Sequence, residues 1–144
     1  MTALTQGRLT PRRDGDYRAG AVAASTTIYP GAMVMRDASG NLVEGQTATG
    51  LTGVGVAEAL ADNAAGSAGD LTVRYRPGVF HMANSASTDE IAAADIGAVC
   101  YAVDDQTVAK TDGTSTRSPA GIVDDVDAGG VWVRFDEALT GAFA

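Results

Sequence analysis

The sequence predicts an all-β fold, a compact β-barrel or β-sandwich of about seven or eight short strands, with one short helix and an extended N-terminal arm. Three observations support this fold class. Short apolar segments alternate with polar residues at the two-residue period of a half-buried strand. Eighteen glycines, together with Asp, Asn and Ser, supply turn-forming positions between these segments. Hydrophobic residues make up 45% of the 144 residues, which is enough for one packed core and argues against disorder.

The N-terminal segment differs from the rest of the chain. Residues 1–24 lack strand or helix periodicity until their last few positions. Pro11 and the Asp14-Gly15 pair interrupt any regular element there. We therefore expect an extended arm over residues 1–24, ordered only where a partner holds it, followed by a β-rich domain over residues 25–144.

The first part of this domain contains four predicted strand segments, separated by turn signals such as Pro30-Gly31, residues 39–41 and Pro77-Gly78. The segments are Ala32–Arg36, a return strand that starts at Leu42, Val54–Glu58 and Leu71–Arg76. In the last segment the apolar residues alternate with polar ones, so Arg74 and Arg76 are expected on the face opposite to the core.

One short helix is predicted near residues 87–95. Ser87 followed by Glu90 three residues later is typical of a capping box, in which each side chain binds the other's backbone N–H. Asp89 would lie at the positive end of the helix dipole. Gly97 is a suitable terminator, so the helix is expected to have about two turns.

The second part of the domain repeats the same kind of pattern after the helix. The predicted strands are Val99–Val103, a return strand that starts at Val108, Ala120–Val126 and Val131–Phe135. The first of them is apolar on both faces, which predicts that it is covered on both sides. The polar residues 104–106 form the turn that follows it.

The two parts can be aligned with each other. The segments starting at Gly31, Leu42 and Gly55 match those starting at Gly97, Val108 and Gly121, each 66 positions later, whereas Leu71–Tyr75 matches Val131–Phe135 60 positions later. A constant spacing that changes once, inside a loop, is typical of a duplicated unit with a deletion. This alignment predicts two related halves, 25–80 and 91–136. The strand pattern that β-proteins share in general is the alternative explanation.

Residues that could carry catalysis are few. His81 is the only histidine, follows a predicted strand end, and lacks the context of a catalytic base. Cys100 is the only cysteine and lies in an apolar segment, which favours a buried, inert thiol. Residues 125–136 resemble a calcium-binding loop only in part, because glycine stands at the fifth position and a strand follows. The sequence therefore predicts a protein that is not an enzyme and needs no metal or cofactor.

Charge divides the chain into a basic arm and an acidic body. The net charge is −8, yet residues 1–24 contain four arginines against two aspartates. An acidic body with no broad basic patch is unsuited to nucleic acid, and no segment is long and apolar enough to span a membrane. The arm is either a solvated terminus or an extended segment that binds an acidic partner, for example by adding a strand to a sheet edge. The candidate binding residues are Arg8, Arg12, Arg13, Tyr17 and Arg18.

A family resemblance follows from four stretches between Ile28 and Asp136. They read "IYPGAMVMRDASGNLVEG", "GVGVAEALADNAAGSAGDLTVRYRPGVF", "ADIGAVCYAVDDQTVAKT" and "AGIVDDVDAGGVWVRFD". Each has a glycine before a short apolar strand, a G-V/I-V/A strand with an acidic residue after it, or a terminal V-x-V strand. Together they resemble the small decoration, or cement, proteins of tailed-bacteriophage capsids.

The resemblance implies a structural virion protein, made in the host cytoplasm and located on the outer capsid surface. Such proteins bridge neighbouring major capsid proteins, often as homotrimers, and commonly carry an N-terminal arm that orders on the shell. The family has no catalytic residues to transfer to this chain. Another virion or surface adaptor, such as a fibre base or a carbohydrate-binding β-module, is the alternative.

Overall fold

The computed structural model describes residues 2–13 and 15–144 of the chain. Strands contain 41% of the residues and helical turns 8%, which confirms the predicted all-β fold with one short α-helix. The described residues form more strands than the about seven or eight expected, because many strands are only three or four residues long. The strands are β1 (Arg18–Ala21), β2 (Thr26–Ile28), β3 (Met33–Arg36), β4 (Leu42–Glu44), β5 (Thr52–Ala57), β6 (Ala61–Asn63), β7 (Thr72–Arg76), β8 (Gly78–Asn84), β9 (Val99–Ala102), β10 (Thr107–Ala109), β11 (Pro119–Asp127) and β12 (Gly130–Phe135), and α1 spans Glu137–Gly141.

Ten of these strands form two five-stranded units. The first unit, here called the N-terminal sheet, has the order β1-β7-β5-β3-β4, and a parallel bridge between Val22 and Leu42 joins its two edges. The second unit, the C-terminal barrel, has the order β10-β8-β12-β11-β9 and is closed by the parallel pair of β10 with β8. β2 and β6 form a separate two-stranded ribbon.

The two units repeat one pairing scheme. Arg36 pairs with Leu42 in the β3–β4 hairpin, and the residues 66 positions later, Ala102 and Val108, pair in the same way between β9 and β10. The contacts of β3 with β5 and of β9 with β11 are both interrupted by a β-bulge at the matching position. The parallel contact that closes each unit also recurs. In the first unit Val22 forms a parallel bridge with Leu42, and in the second unit Val108 pairs in parallel with Asn84.

The last strand of each unit matches at a spacing that differs from the predicted one. Val56 pairs with Arg76, and Ile122, which is the counterpart of Val56, pairs with Arg134. Arg76 therefore corresponds to Arg134, a spacing of 58 positions rather than 60. Because side chains alternate along a strand with a period of two, this shift leaves each side chain on the predicted face.

The halves predicted as 25–80 and 91–136 begin later than the repeated units do. β1 pairs antiparallel with β7 as β8 pairs with β12, so β1 is the counterpart of β8. The first unit thus starts at Arg18, inside the segment 1–24 that was expected to be an arm, and the second starts at Gly78. Pro77 alone separates the two units. The common ancestry implied by a duplication stays a prediction.

Apolar packing joins the two units. One cluster fills the N-terminal sheet around Val34, Val54 and Tyr75. A second cluster fills the C-terminal barrel and includes Met33, Met35, Val43, Val56 and Leu51 of the first unit. Main-chain contact is also direct, because Gly53 in β5 lies against the backbone of Ala120 in β11, where no Cβ atom would fit. The units consequently share a core rather than forming independent domains.

The prediction of a helix near residues 87–95 is wrong. Two 3₁₀ turns, Ser87–Asp89 and Ala93–Asp95, occupy this segment, and Ser87 makes no side-chain cap. The cause is Asn84, whose side chain donates to the carbonyl of Ile91 and accepts from its N–H, both at 2.9 Å. These two bonds keep the chain extended at Ile91, whose side chain is buried in the core. Tertiary packing therefore overrides the local helix signal.

Among the described residues, the α-helix lies after the last strand instead. Asp136 forms its N-cap by accepting the N–H of Leu139 at 3.1 Å. Glu137 in the first turn binds Arg36 of β3, with 2.6 Å between Oε2 and Nε and 3.2 Å between Oε1 and Nη2. This pair fastens α1 to the N-terminal sheet, and it raises the pKa of Arg36. No helix of the described residues is long and apolar enough to cross a membrane.

Candidate functional site: the arm and the outer faces of the two units

The arm residues proposed as a binding site fall into two groups. Arg8, Arg12 and Arg13 lie in residues 2–13, which are exposed and belong to no strand or helix. Tyr17 and Arg18 lie at the root of the arm, where β1 begins. The structure therefore brings the second group onto the body, and Arg13 of the first group lines a pocket beside it.

Tyr17 fixes the root of the arm to the outer face of the N-terminal sheet. Its ring lies beneath two guanidinium groups of β7, with Cζ of Arg74 4.4 Å and Cζ of Arg76 4.6 Å from the ring centroid. Arg18 adds local order by donating from Nη1 to the carbonyl of Tyr17 at 2.9 Å. Cation–π contacts of this kind contribute about 0.5–1 kcal/mol each at an exposed site.

A shallow basic pocket forms beside this stack. It has a volume of about 300 Å³ and is lined by Arg13, Tyr17, Arg18, Ala19 and Arg74. Arg76 lies next to it and pairs with Glu58, with 3.1 Å between Nε and Oε1. Three arginines that line one pocket suit a carboxylate, which guanidinium groups can bind through paired N–H donors. We call this pocket and the Tyr17 stack the arginine face.

Sequence analysis missed the part that Arg74 and Arg76 play in this site. The alternation in β7 placed both arginines correctly away from the core, but nothing in the pattern connected them with an aromatic residue more than fifty positions earlier. The connection arises from the pairing of β1 with β7, in which Ala19 lies opposite Arg74. β1 itself, with the sequence RAGA, lacks the β-branched residues that predict a strand.

The structure also corrects the setting of His81. β7 ends at Arg76, as the Pro77-Gly78 signal predicted, but a strand that was not predicted, β8, follows at once over residues 78–84 with His81 at its centre. His81 is exposed and lies opposite Trp132 of β12, and their ring centroids are 4.9 Å apart in an edge-to-face arrangement. The expectation of a surface histidine agrees with this position, although it lies on a strand.

Asp127 fixes the geometry of this second face. Nε2 of His81 lies 3.1 Å from its Oδ1, and Nε1 of Trp132 donates to its Oδ2 at 2.9 Å. The backbone N–H groups of Gly129 and Gly130 also donate to Oδ1. The only tryptophan of the chain is thus held in one orientation while 38% of its surface stays exposed. We call the outer surface formed by Val79, His81, Asp124, Asp125, Asp127 and Trp132 the tryptophan face.

The hydrogen bonds to Asp127 predict a specific acid response. The His81 contact, followed by those from Trp132 and Gly129, lowers the pKa of Asp127 from 3.8 to about 2. A carboxyl whose pKa is lower in the folded state contributes stability above its unfolded pKa and loses it as the pH falls through the folded value. We therefore expect the part of the Trp132 emission that depends on the Asp127 carboxylate to change only as the pH approaches about 2.

Fluorescence titration of the protein measures this response, with far-ultraviolet circular dichroism to verify that the fold persists. The Asp127→Asn variant, which cannot titrate at this position, serves as the control and should lack the transition near pH 2. A wild-type transition centred close to pH 4 would contradict the assignment.

Two features that could indicate enzymatic chemistry have structural explanations. Cys100 is buried, and burial raises the pKa of its thiol to about 12, so it is not a nucleophile near neutral pH. The oxygens of Asp127 are engaged by four donors, which leaves them unsuited to the calcium loop that residues 125–136 resemble. Among residues 2–13 and 15–144, no three His, Cys, Asp or Glu side chains group as metal ligands.

The chain was also compared with known proteins. No protein-family model matches it, and no curated protein or solved structure matches it either.

Proposed function

We propose that this protein is a structural protein of a bacteriophage virion, which binds the outer surface of the capsid and stabilises it by bridging neighbouring major capsid proteins. Its partner is then the major capsid protein, and its location the outside of the particle. The observation that carries the proposal is the arm, a cationic segment exposed over residues 2–13 and fastened to the body at Tyr17.

The geometry of the arm supports a gripping role. A fully extended chain spans at most about 3.3–3.6 Å per residue, so residues 2–13 reach about 40 Å from the root. Arg8, Arg12 and Arg13 can then meet carboxylates of a shell, while Leu4 and Leu9, which are 72% and 98% exposed, supply apolar contacts. Main-chain groups of the arm are available to add a strand to a sheet edge of the partner.

The character of the body agrees with a coat rather than a catalyst. Outside the arm the chain carries sixteen acidic and six basic residues, which keeps a densely coated particle soluble. Each arm contributes only a few kcal/mol after the cost of ordering. Several copies joined together, as in the homotrimer that we include in this proposal, raise the overall affinity by about 10²–10⁴-fold because later contacts become intramolecular.

Deletion of residues 2–13 tests the role of the arm. The truncated protein keeps Tyr17 and β1, so it should fold normally and yet lose at least about a hundredfold in affinity for isolated capsids. Cosedimentation with capsids measures the binding, and circular dichroism verifies the fold. Replacing Arg8, Arg12 and Arg13 by glutamine should weaken binding, whereas replacing them by lysine should preserve much of it.

A change of one exposed cation outside the arm, Lys110→Gln, is the matched control and should leave binding unchanged. Undiminished binding by the truncated protein would exclude the arm as the grip. Absence of the protein from the surface of the native particle, as imaged by electron microscopy, would overturn the proposed function itself.

A further inference from the structure

The arginine face and the tryptophan face occupy equivalent positions in the repeated pairing scheme. Arg74 and Trp132 correspond, because each lies two positions before the corresponding pair Arg76 and Arg134. His81 lies opposite Trp132 as Ala19 lies opposite Arg74. The two faces therefore lie on the same outer surface of their respective units, but they carry different side chains.

The charges of the two faces are opposite. The arginine face presents Arg13, Arg18 and Arg74 around its pocket, and Arg76 beside them pairs with Glu58. The tryptophan face presents aspartates, and the exposed Arg134, two positions after Trp132, lies near Asp136 with 3.8 Å between Nη2 and Oδ2. Asp125 lies directly opposite Trp132, and its side chain accepts the N–H of Val126. Asp124 and Asp125 are both exposed.

The tryptophan face is also preorganised for binding a partner. Trp132 is held by Asp127, so little rotamer freedom remains to be lost when a partner covers it. Val79, which is 43% exposed, extends the apolar surface along β8. A rigid exposed tryptophan flanked by carboxylates suits a guanidinium group, which stacks on the ring and pairs with the acid at once.

We propose that the tryptophan face of one copy of this chain docks on the arginine face of a second copy. Asp124 and Asp125 enter the basic pocket, and the exposed guanidinium of Arg74 reaches the Trp132 ring. The occupant of each face is thus another copy, and the argument for it is charge complementarity between two surfaces that the same chain carries. The contact does not depend on the proposed function, because it requires no capsid.

The contact is heterologous, since each copy uses two different surfaces. A pair keeps one unoccupied face of each kind, one on each copy, so further copies add head to tail until a ring closes. Residues 2–12 of the arm belong to neither face, whereas Arg13 lines the basic pocket. A ring of this kind carries all its arms, which is the arrangement that avidity requires.

Complementary charge variants test the contact with purified full-length protein and no shell. Arg74→Glu and Asp125→Arg each remove one face, and each should weaken self-association at least about tenfold in sedimentation analysis. Mixing the two variants should restore association, because the intact tryptophan face of Arg74→Glu meets the intact arginine face of Asp125→Arg, and the two altered faces carry exchanged charges. The double variant, Arg74→Glu with Asp125→Arg, should associate again because the charges are exchanged.

Trp132 reports the contact directly, as it is the only tryptophan. Its emission should move to shorter wavelength as the wild-type concentration rises and should stay constant for either single variant. Lys110→Glu, a charge reversal outside both faces, is the control and should associate like the wild type. The proposal would be overturned by a wild-type protein that stays monomeric with constant emission. It would also be overturned if the mixture of the two single variants stayed monomeric, or if the double variant did not regain self-association. Deletion of residues 2–12 keeps Arg13 in the arginine face. Loss of capsid binding by this variant with self-association intact would separate this contact from the role of the arm.

Discussion

Replacing Gly53 by alanine is expected to lower the free energy of unfolding by about 3 kcal/mol or more, near the upper end for overpacked cores. A Cβ atom at this position would overlap the backbone carbonyl of Ala120, and a backbone atom cannot rotate away as a side chain does. The two units would have to separate locally, which also loosens the core that they share. Denaturant unfolding, followed by circular dichroism, measures the change.

Gly141→Ala is the matched control for this substitution. Nothing lies within 4 Å of the Cβ position at Gly141, which belongs to α1. Alanine should therefore be neutral there or stabilise by about 0.4–1 kcal/mol through the unfolded state. Equal stabilities of the Gly53→Ala variant and the wild type would mean that β5 and β11 are not in main-chain contact.

Replacing Phe135 by alanine is expected to cost about 3–5 kcal/mol, the usual range for removing a buried aromatic side chain. Phe135 is 1% exposed, and it packs in a tilted arrangement against Phe80, with 6.3 Å between ring centroids. It belongs to the cluster that fills the C-terminal barrel, so its removal leaves a cavity where little can collapse. The midpoint of denaturant unfolding should fall accordingly.

Phe143 offers the comparison within the same chain. Its side chain is 51% exposed near the C-terminus, so Phe143→Ala should change the stability by less than about 0.5 kcal/mol. A Phe135→Ala variant that unfolded at the same denaturant concentration as Phe143→Ala would contradict the described packing of the barrel.

Local sequence signals predicted turns well in this protein. The turn at residues 39–41 is held by the Asp37 side chain, which accepts the N–H groups of Ser39 and Asn41 at 2.9 Å. Gly40 there adopts a φ of +86°, which glycine tolerates without strain. Asp104 accepts the N–H of Gln106 in the same manner. These interactions span at most four residues, so a reader of the sequence has all their parts in view.

The errors arise where distant contacts decide. The side chain of Asp89 looked like a helix N-terminal residue, but it binds Thr111 and Arg117 instead. Asn84 holds Ile91 extended across seven positions, which no capping pattern indicates. The separation of the predicted arm residues into a root at Tyr17 and an exposed segment depends on Arg74 in β7. The pairing register that makes the two faces equivalent could not be predicted from the sequence, because it depends on which strands lie next to each other in the fold.

The order of the units along the chain has a consequence for synthesis. All strands of the N-terminal sheet precede Pro77, so this unit leaves the ribosome complete before the barrel exists. Met33, Met35 and Val56 then form an uncovered apolar wall until residues 78–135 follow and pack on it. A nascent chain that stalls near Pro77 should hence be a client of ribosome-associated chaperones, whereas one released after Phe135 should not.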